Sequence, residues 1–303
     1  MAMTLSFSPM EPLLLLEPFQ DDDFRYEVKW DGIRALVWQN GSDVRIFSRR
    51  GHDLTQQFPE LHALPLAQAN EAILDGEIIV LDENRRPDFV RVVRRLRLKK
   101  PSAVIHARQS MPAVFMAFDL LRFEKDDMRT KPWWRRQELL RQVVVPSAHV
   151  EVVESFTDGL ALFSATKQMG LEGIVAKRRE SHYSAGKRHR DWFKVKHVQE
   201  VEAYIGGLRR KADGTGRSLL LGLPLGDGRL TYIGQAASGM NSADWNWLQQ
   251  KTDALLIPTP PFANLSVSDK NCLWLKPELR ATVRFQAWTP AGQLRSPVIV
   301  RLF

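Results

Sequence analysis

Short runs of alternating apolar and polar residues, separated by turn-forming dipeptides, constrain the fold of this chain more than any other feature. Between residues 24 and 81 these runs are YEVKWDGIRALVWQ, DVRIFSRRG and AILDGEIIVLD. Period-two alternation is typical of strands, and glycine dipeptides are typical of turns. The dipeptides in question are Asn40-Gly41, Arg50-Gly51 and Asp75-Gly76. The pattern predicts a meandering antiparallel sheet.

The middle of the chain predicts helices beside this sheet. RVVRRLRLKK, between Arg91 and Lys100, mixes apolar and basic residues at helical spacing and predicts a basic helix or helix end. AVFMAFDLLRF predicts a buried strand, and helices are expected around WWRRQELLRQVV and DGLALFSATKQMG.

The pattern changes near residue 200. Glycine-punctuated strands follow, such as AYIGGL, SLLLGLPLGDGRLTYIGQA and ATVRFQAWT, with a helical insert near SADWNWLQQKTDAL. A set of short strands in about 100 residues suits a small barrel, of which the OB-fold is one that binds nucleic acid. A chain of 303 residues is long enough for two domains. We predict an α+β protein with a first domain over residues 1–199 and an OB-fold domain over residues 200–303.

The composition of the chain bears on which partners it binds and on the cellular compartment in which it works. The net charge of +8 favours a polyanion such as nucleic acid, although it can also serve solubility alone. The single cysteine, Cys272, excludes an internal disulfide framework and a multi-cysteine zinc site. The apolar run Leu13 to Leu16 is too short for a signal peptide or a membrane span. We therefore expect a cytoplasmic protein without a membrane partner.

FRYEVKWDGIRA sets Lys29 in an apolar, aromatic run. A strand that ends in a turn at Asp31-Gly32 explains the backbone but not the lysine. Lysine is a poor nucleophile at its usual pKa of about 10.4, and desolvation or a neighbouring cation makes it useful by lowering that value. The aromatic neighbours and Arg34 can supply this setting, so Lys29 is a candidate nucleophile.

Further candidates follow along the chain, and each also has an ordinary structural interpretation. Glu77 in LDGE is either a hairpin acid or a ligand for ribose or a cation, and Phe118 in AFDLL is either core or a base-stacking ring. EGIVAK contains Glu172 and Lys177. WFKVK places two lysines on one strand face, which suits either solvent or phosphate.

The motifs become specific when they are taken together in order: KxDGxR, SR, DGE, FD, EGIVAK and KVK. The chain resembles the covalent nucleotidyltransferases, most closely the compact bacterial ATP-dependent DNA ligases related to the ligase domain of the multifunctional end-joining ligase. SPMEPLLLLEPFQDDDFRYEVKWDGIRA and LEGIVAKRRESHYSAGKRHRDWFKVK carry most of the likeness. The resemblance implies an adenylation domain of antiparallel sheets with flanking helices, followed by an OB-fold barrel.

The resemblance also implies a role for each candidate. Lys29 would attack the α-phosphate of ATP, expel pyrophosphate and hold AMP. Glu27 and Phe118 would seat the adenine, and Arg34 and Glu77 would contact the ribose. Arg49 would contact the nick phosphate or the nucleotide, and Lys177 would contact the nucleotide. Lys194 and Lys196 would contact the α-phosphate. Glu172 would bind Mg²⁺ or Mn²⁺.

The same resemblance implies nicked or broken double-stranded DNA as substrate, association with the end-binding protein Ku, and a role in double-strand break repair. A monomer is expected. The family's Arg-x-Asp-Lys motif would follow LRSPVIVRLF, where the given sequence ends. Two expectations stay open: self-adenylation is slow, or the tail that carries the motif has been lost. RVVRRLRLKK and KRRESHYSAGKRHR are the candidate DNA-binding segments.

Two other functions remain open at this point. An RNA ligase or an mRNA-capping guanylyltransferase would use the same lysine chemistry, and the choice of nucleotide and strand separates them from a DNA ligase. A catalytically inactive nucleic-acid-binding relative would bind DNA without being labelled by nucleotide.

Overall fold

The computed structural model describes residues 7–62, 64–67, 70–210, 217–265, 271–289 and 291–303. The chain forms two compact units, of which the first ends at His197 and the second begins at Val198. The sequence-based boundary, between residues 199 and 200, differs from this division by two residues. Each unit is described by itself.

The N-terminal unit is built from strands with helices at its periphery. Its strands are β1 (Glu11–Leu15), β2 (Phe24–Val28), β3 (Ile33–Asn40), β4 (Asp43–Ser48), β5 (Glu71–Val80), β6 (Ala113–Phe123), β7 (Asp126–Asp127), β8 (Val150–Val152), β9 (Ser155–Phe156), β10 (Gly173–Arg178) and β11 (Arg188–Lys196). Its helices are α1 (Phe89–Leu96), α2 (Pro101–Ser110), α3 (Trp133–Val143) and α4 (Gly159–Gln168). Single 3₁₀ turns lie at Thr55–Gln57, Pro59–Leu61 and Met128–Thr130.

These helices confirm the periodicity-based predictions for α3 and α4, and AVFMAFDLLRF is the buried strand β6. RVVRRLRLKK covers most of α1 and the connection to α2. The start of α1 is fixed by Asp88, whose carboxylate accepts hydrogen bonds from the backbone N–H groups of Val90 and Arg91.

Two sheets form the N-terminal unit, and the chain crosses between them at Lys29. One sheet has the order β1-β11-β10-β2-β9, with β1 parallel to β11. The other has the order β4-β3-β5-β6-β7, with β8 parallel to β6. The predicted antiparallel pairing is correct for β3 with β4 and with β5, but the meander is wrong, because β5 lies beside β3 rather than β4. The strand β2 pairs with β10 in the other sheet. The stretch around Asp31-Gly32 links two sheets rather than two strands of a hairpin.

Apolar side chains hold the two sheets face to face. One buried cluster contains Leu36 and Ile73 from one sheet and Trp192 from the other. A second cluster packs the opposite face of the β3–β5 sheet, represented by Val37 and Leu74, against the helices. This layering leaves a cleft at one end of the sheet interface, lined by residues of both sheets.

Asp75-Gly76, predicted to be a turn, instead lies inside β5. Asp75 is fully buried, and its carboxylate accepts hydrogen bonds from Arg34 on the neighbouring strand and from Tyr183. These partners offset the free-energy cost of burying the Asp75 carboxylate, so Asp75-Gly76 can lie inside a strand instead of in an exposed turn. The ladder between β5 and β6 shifts register between these two residues.

Gly76→Ala should destabilise the N-terminal unit by about 1 to 3 kcal/mol, because a β-carbon would lie 2.4 Å from the ring of Phe115 and 2.7 Å from the carbonyl oxygen of Met116. Phe115 is itself fully buried, so moving its ring aside would disturb its neighbours in the core. Chemical denaturation followed by circular dichroism measures the change. Gly226→Ala is the control, since a β-carbon there meets open space, and equal stability of the two variants would contradict the prediction.

The described residues of the C-terminal unit form a seven-stranded sheet, a separate pair of short strands and one α-helix. Its strands are β12 (Gln199–Arg210), β13 (Arg217–Pro224), β14 (Leu230–Ala236), β15 (Leu256–Ile257), β16 (Cys272–Leu275), β17 (Arg280–Phe285), β18 (Ala287–Trp288), β19 (Leu294–Arg295) and β20 (Val298–Leu302). The helix is α5 (Ser242–Thr252), as predicted, and a 3₁₀ turn follows at Asp253–Leu255.

The long strand β12 organises this unit. It pairs with β13, β16 and β17, and β17 continues to β20. One apolar cluster between these elements includes Ile205, Leu221 and Val283, and a second, smaller cluster includes Leu220, Phe262 and Trp274. In the described part of the chain, no helix is both long enough and apolar enough to cross a membrane.

Candidate active site

A pocket of about 580 Å³ opens between the two sheets of the N-terminal unit. This volume lies within the range of small-molecule sites. The predicted site residues that line it are Glu27, Lys29, Arg34, Arg49, Glu77, Phe118, Lys177 and Lys194. The structure therefore brings together residues that are far apart in the sequence.

The two remaining predicted residues, Glu172 and Lys196, are not among the lining residues, but ion pairs connect them to Lys29. The Nζ atom of Lys29 lies 2.5 Å from one carboxylate oxygen of Glu172, and the Nζ atom of Lys196 lies 2.7 Å from the other. One carboxylate thus holds two ammonium groups. Burial raises the pKa of Glu172, but the two lysines outweigh burial and hold that pKa below its ordinary value.

The backbone also fixes the distance between Lys29 and Glu172. The N–H of Lys29 donates a hydrogen bond of 2.9 Å to the carbonyl oxygen of Gly173. Gly173 has a φ of +143°, and a β-carbon there would lie 2.1 Å from the carbonyl oxygen of Val195. Only glycine fits this position, which anchors the nucleophile candidate next to the carboxylate.

Lys194 is the cation of this group without an ion pair to a described residue. It lines the pocket on the same face of β11 as Lys196, as the alternation in WFKVK predicts. Burial lowers the pKa of Lys194, and the nearby cations Lys196 and Lys29 lower it further. A phosphate in the pocket would relieve this repulsion.

A buried ion pair forms the inner end of the pocket. Glu27 and Lys177 are nearly inaccessible to solvent, and their charged atoms lie 2.7 Å apart. The Nζ atom of Lys177 also lies 4.4 Å from the centre of the Phe118 ring and 4.6 Å from that of Trp192. Burial raises the pKa of Glu27 to about 7, although Lys177 acts in the opposite direction. Among the described residues, the second carboxylate oxygen of Glu27 has no hydrogen-bond partner.

Arg34 is held rigidly in the pocket wall. Its guanidinium donates hydrogen bonds of 2.9 and 2.6 Å to the two oxygens of Asp75. The Tyr183 hydroxyl donates to Asp75 at 2.6 Å and accepts a bond from the backbone N–H of Met10 at 3.0 Å. Arg34 also lies over the Phe118 ring, with 5.3 Å between its Cζ atom and the ring centre.

Glu77 lines the same pocket as Lys29. Burial raises the pKa of Glu77 to about 8, and the carboxylates of Glu172 and Asp75 contribute, whereas Lys29 and Arg34 act against the shift. A carboxyl group in this state is largely neutral at pH 7 and can donate a hydrogen bond as well as accept one.

The pKa of Glu77 predicts a pH dependence of stability. Because the folded state binds the proton more tightly than the unfolded state, its stabilising contribution is present below the ordinary value of 4.5 and is lost as the pH rises through about 8. Glu77→Gln should therefore gain stability relative to wild type as the pH increases over this range. Denaturation curves at several pH values measure this difference. Glu154→Gln, an exposed position, is the control, and parallel behaviour of the two variants would contradict the prediction.

Arg49 occupies the exposed rim of the pocket. Its side chain is 54% exposed and lies 3.1 Å from Glu11, which is also 3.3 Å from Arg188. Exposed ion pairs of this kind contribute little stability, so Arg49 is free to exchange Glu11 for another anion.

The sequence interpretation missed three residues of this site. Asp75 was assigned to a turn, and Tyr183 carries no motif. Trp192 precedes Lys194 by two positions, so the alternation of β11 places it on the same face and could have identified it as a pocket wall. No group of three or more His, Cys, Asp or Glu side chains in the described part of the chain is arranged to hold a metal ion.

Comparison with known proteins places this geometry in a family. Residues 9–196 match the family model for the ATP-dependent DNA ligase domain, and residues 212–302 match the model for the ATP-dependent DNA ligase C-terminal region. The multifunctional non-homologous end joining DNA repair protein LigD of Mycobacterium tuberculosis is 34% identical over 278 residues, which are 89% of this chain and 35% of that protein. The chain thus spans about a third of the length of LigD.

A relative of more similar length is DNA ligase C1 of Mycolicibacterium smegmatis, which is 35% identical over 243 residues, 76% of this chain and 69% of that protein. The solved structure of mycobacterial DNA ligase D complexed with ATP and MES has a TM-score of 0.57 and 31% identity, with 98% of this chain and 95% of that chain covered. The predicted fold class, a nucleotidyltransferase domain followed by an OB-like domain, is confirmed. The chain belongs to the ATP-dependent DNA ligase family, as the resemblance indicated.

Proposed function

We propose that this chain seals breaks in double-stranded DNA and that Lys29 carries AMP between ATP and the DNA. In the first step the Nζ atom of Lys29, after losing a proton, forms a bond to the α-phosphorus of ATP. The bond from that phosphorus to the bridging oxygen breaks, and pyrophosphate leaves. The observation that carries this proposal is the position of Lys29, which lies at the pocket between two sheets with Glu172 2.5 Å away.

The two later steps transfer the same phosphoryl group and then displace it. An oxygen of the DNA 5′-phosphate attacks the AMP phosphorus, and the bond to Lys29 breaks. The 3′-hydroxyl then attacks the 5′-phosphate, loses its proton and releases AMP. Each step moves negative charge past the same cations, which supports the assignment of Lys194 and Lys196 to the α-phosphate.

The inner end of the pocket suits an adenosine. Phe118 offers a ring face for the base, and the unpartnered oxygen of Glu27 is a hydrogen-bond acceptor for an amino group. Arg34 and Glu77 line the pocket and are assigned to the ribose. Lys177 contacts both the Glu27 carboxylate and the Phe118 ring and holds them in place. Arg49, on the rim, is assigned to the phosphate of the nick.

Glu172 is the carboxylate assigned to Mg²⁺ or Mn²⁺. Its pKa is held below the ordinary value by Lys29 and Lys196, so the carboxylate is ionised, as a ligand of a divalent cation must be, and it would hold the ion beside Lys29. When bound, the ion supplies neutralisation of charge on the phosphates.

Incubation with α-labelled ATP, followed by a denaturing gel and then by addition of nicked DNA, tests the proposal. Covalent label from ATP that is chased into sealed DNA is the expected result. Labelled GTP and nicked RNA are run in parallel. Label from GTP, or sealing of RNA in preference to DNA, would instead assign the capping or RNA-ligase chemistry to this pocket.

We further propose that the chain also joins the ends of broken double-stranded DNA and that Ku is its partner in this reaction. The likeness to a protein named for non-homologous end joining supports this assignment. Joining of linear DNA should increase when the cognate Ku is added. Unchanged joining of ends, together with normal sealing of nicks, would reject the partner and leave the ligase function intact.

A further inference from the structure

The helical pair α1–α2 carries an unusual concentration of positive charge. Between residues 89 and 118 the sequence has seven Lys and Arg residues and no Asp or Glu. Two of the seven are already engaged. Arg95 is fully buried with Glu60, and Arg91 pairs with Glu83 and Asp88.

The buried member of this group has a structural role. Arg95 donates hydrogen bonds to both carboxylate oxygens of Glu60 and to the backbone carbonyl oxygens of Gln57 and Met111. It therefore joins α1 and the end of α2 to the body of the N-terminal unit. This corrects the expectation that the whole of RVVRRLRLKK is available to DNA, because Arg95 is not.

The other charges face solvent. Arg94, Arg97, Lys99 and Lys100 are exposed, and none of them forms an ion pair with a described residue; we call these four residues the α1–α2 basic patch. Arg108 on α2 is exposed on the same helical pair. Unpaired cations at this density repel one another, and a polyanion would remove that repulsion.

The second predicted DNA-binding segment, KRRESHYSAGKRHR, differs because much of its charge is neutralised within the unit. Its ion pairs are Lys177 with Glu27, Arg178 with Asp23 and Asp191, and Arg188 with Glu11. The α1–α2 basic patch is therefore the stronger candidate for a permanent polyanion contact.

The helix α1 also connects the patch to the pocket. Phe89 and Leu96, at the two ends of α1, line the same pocket as Lys29. Arg94 and Arg97 lie beside Leu96 in sequence but face solvent. An anionic chain that contacts the patch would run past the wall of the pocket in which the AMP is transferred.

We propose that the α1–α2 basic patch binds the phosphate backbone of the double-stranded DNA that flanks the break. The inference rests on the proposed function and names the surface that holds its substrate. The contacts are to phosphates, so binding is insensitive to base sequence and weakens steeply with salt.

The test compares two variants that lose the same number of charges. The patch variant carries Arg94→Ala, Arg97→Ala, Lys99→Ala and Lys100→Ala. The matched variant carries Lys125→Ala, Lys131→Ala, Lys167→Ala and Lys251→Ala, all at exposed positions outside the α1 and α2 segments of the sequence. Circular dichroism establishes that both are folded, and labelling with α-labelled ATP measures the first chemical step without DNA.

Binding of a nicked duplex is measured by fluorescence anisotropy over a series of salt concentrations. The patch variant should lose affinity by about tenfold or more at low salt, and its slope of log affinity against log salt should be shallower by about 3 to 4. Its labelling by ATP should stay at the wild-type level.

Equal losses of affinity in the two variants, or an unchanged salt slope in the patch variant, would overturn the proposal. Failure of the wild-type protein to label with ATP would instead count against the proposed function, since the binding comparison does not depend on chemistry. Tighter binding of an acidic peptide than of the duplex, lost in the patch variant, would assign the surface to a protein partner and reject DNA.

Discussion

Lys29→Ala is expected to abolish self-adenylation, with a loss of at least about 10⁴-fold in the rate of covalent labelling by ATP, the scale seen when a nucleophile is removed. Two lysines that line the pocket have a carboxylate directly against them, Lys29 with Glu172 and Lys177 with Glu27. Lys177 is nearly inaccessible, whereas 21% of the Lys29 side chain is exposed, so Lys29 is the one that can meet a phosphate. Lys194 lines the same pocket but has no such partner, so it should not substitute. A gel of protein incubated with α-labelled ATP measures the loss.

The same variant should still seal a nick that already carries AMP on its 5′-phosphate. In that reaction Lys29 forms no bond, and Glu172 keeps its contact with Lys196 at 2.7 Å. Lys125→Ala, at an exposed position outside the pocket, is the control and should behave as wild type in both assays. Residual labelling of Lys29→Ala at a rate near wild type would show that another residue is the nucleophile.

Arg136→Met should destabilise the N-terminal unit by about 3 to 5 kcal/mol, the usual result of breaking a buried ion pair. Arg136 and Asp119 are both inaccessible to solvent, and their two hydrogen bonds measure 2.7 and 2.9 Å. The substitution would leave the Asp119 carboxylate buried without its counter-ion. Denaturant unfolding followed by tryptophan fluorescence measures the change.

The neighbouring residue provides a matched control. Arg135 is exposed and pairs with Glu138 three residues later, so Arg135→Met should cost less than about 1 kcal/mol. The double variant Arg136→Met with Asp119→Leu should recover part of the lost stability, because it removes the stranded charge. Equal stability of Arg135→Met and Arg136→Met would mean that the buried pair contributes nothing.

The site was predictable from the sequence where it depends on strand alternation. Lys194 and Lys196 are two residues apart on β11, so a strand places them on one face whatever the rest of the chain does. The local setting of Lys29 and Phe118 made them candidates, but only their order among the motifs gave them specific roles. Their spatial relation to the other residues came only from the structure.

The turn assigned to Asp75-Gly76 failed for a reason that lies far away in the sequence. The partners that make a buried Asp75 acceptable are Arg34 and Tyr183, which are 41 and 108 residues distant. The local sequence pattern contains neither residue, so it predicts that Asp75-Gly76 forms an exposed turn. The same limit applies to Arg95, because nothing in RVVRRLRLKK distinguishes the one arginine that meets Glu60.

Gly173 has a consequence for attempts to change which nucleotide this pocket binds. It adjoins Glu172 in the chain and receives the backbone hydrogen bond of Lys29, so it sets the spacing between the carboxylate and the nucleophile. A library intended to change which nucleotide base the pocket prefers should vary Phe118, because its side chain forms part of the pocket wall. Variation at position 173 would instead change the distance between Lys29 and the Glu172 carboxylate. Phe118 thus belongs to the part of the pocket that can be redesigned, and Gly173 to the part that must be kept.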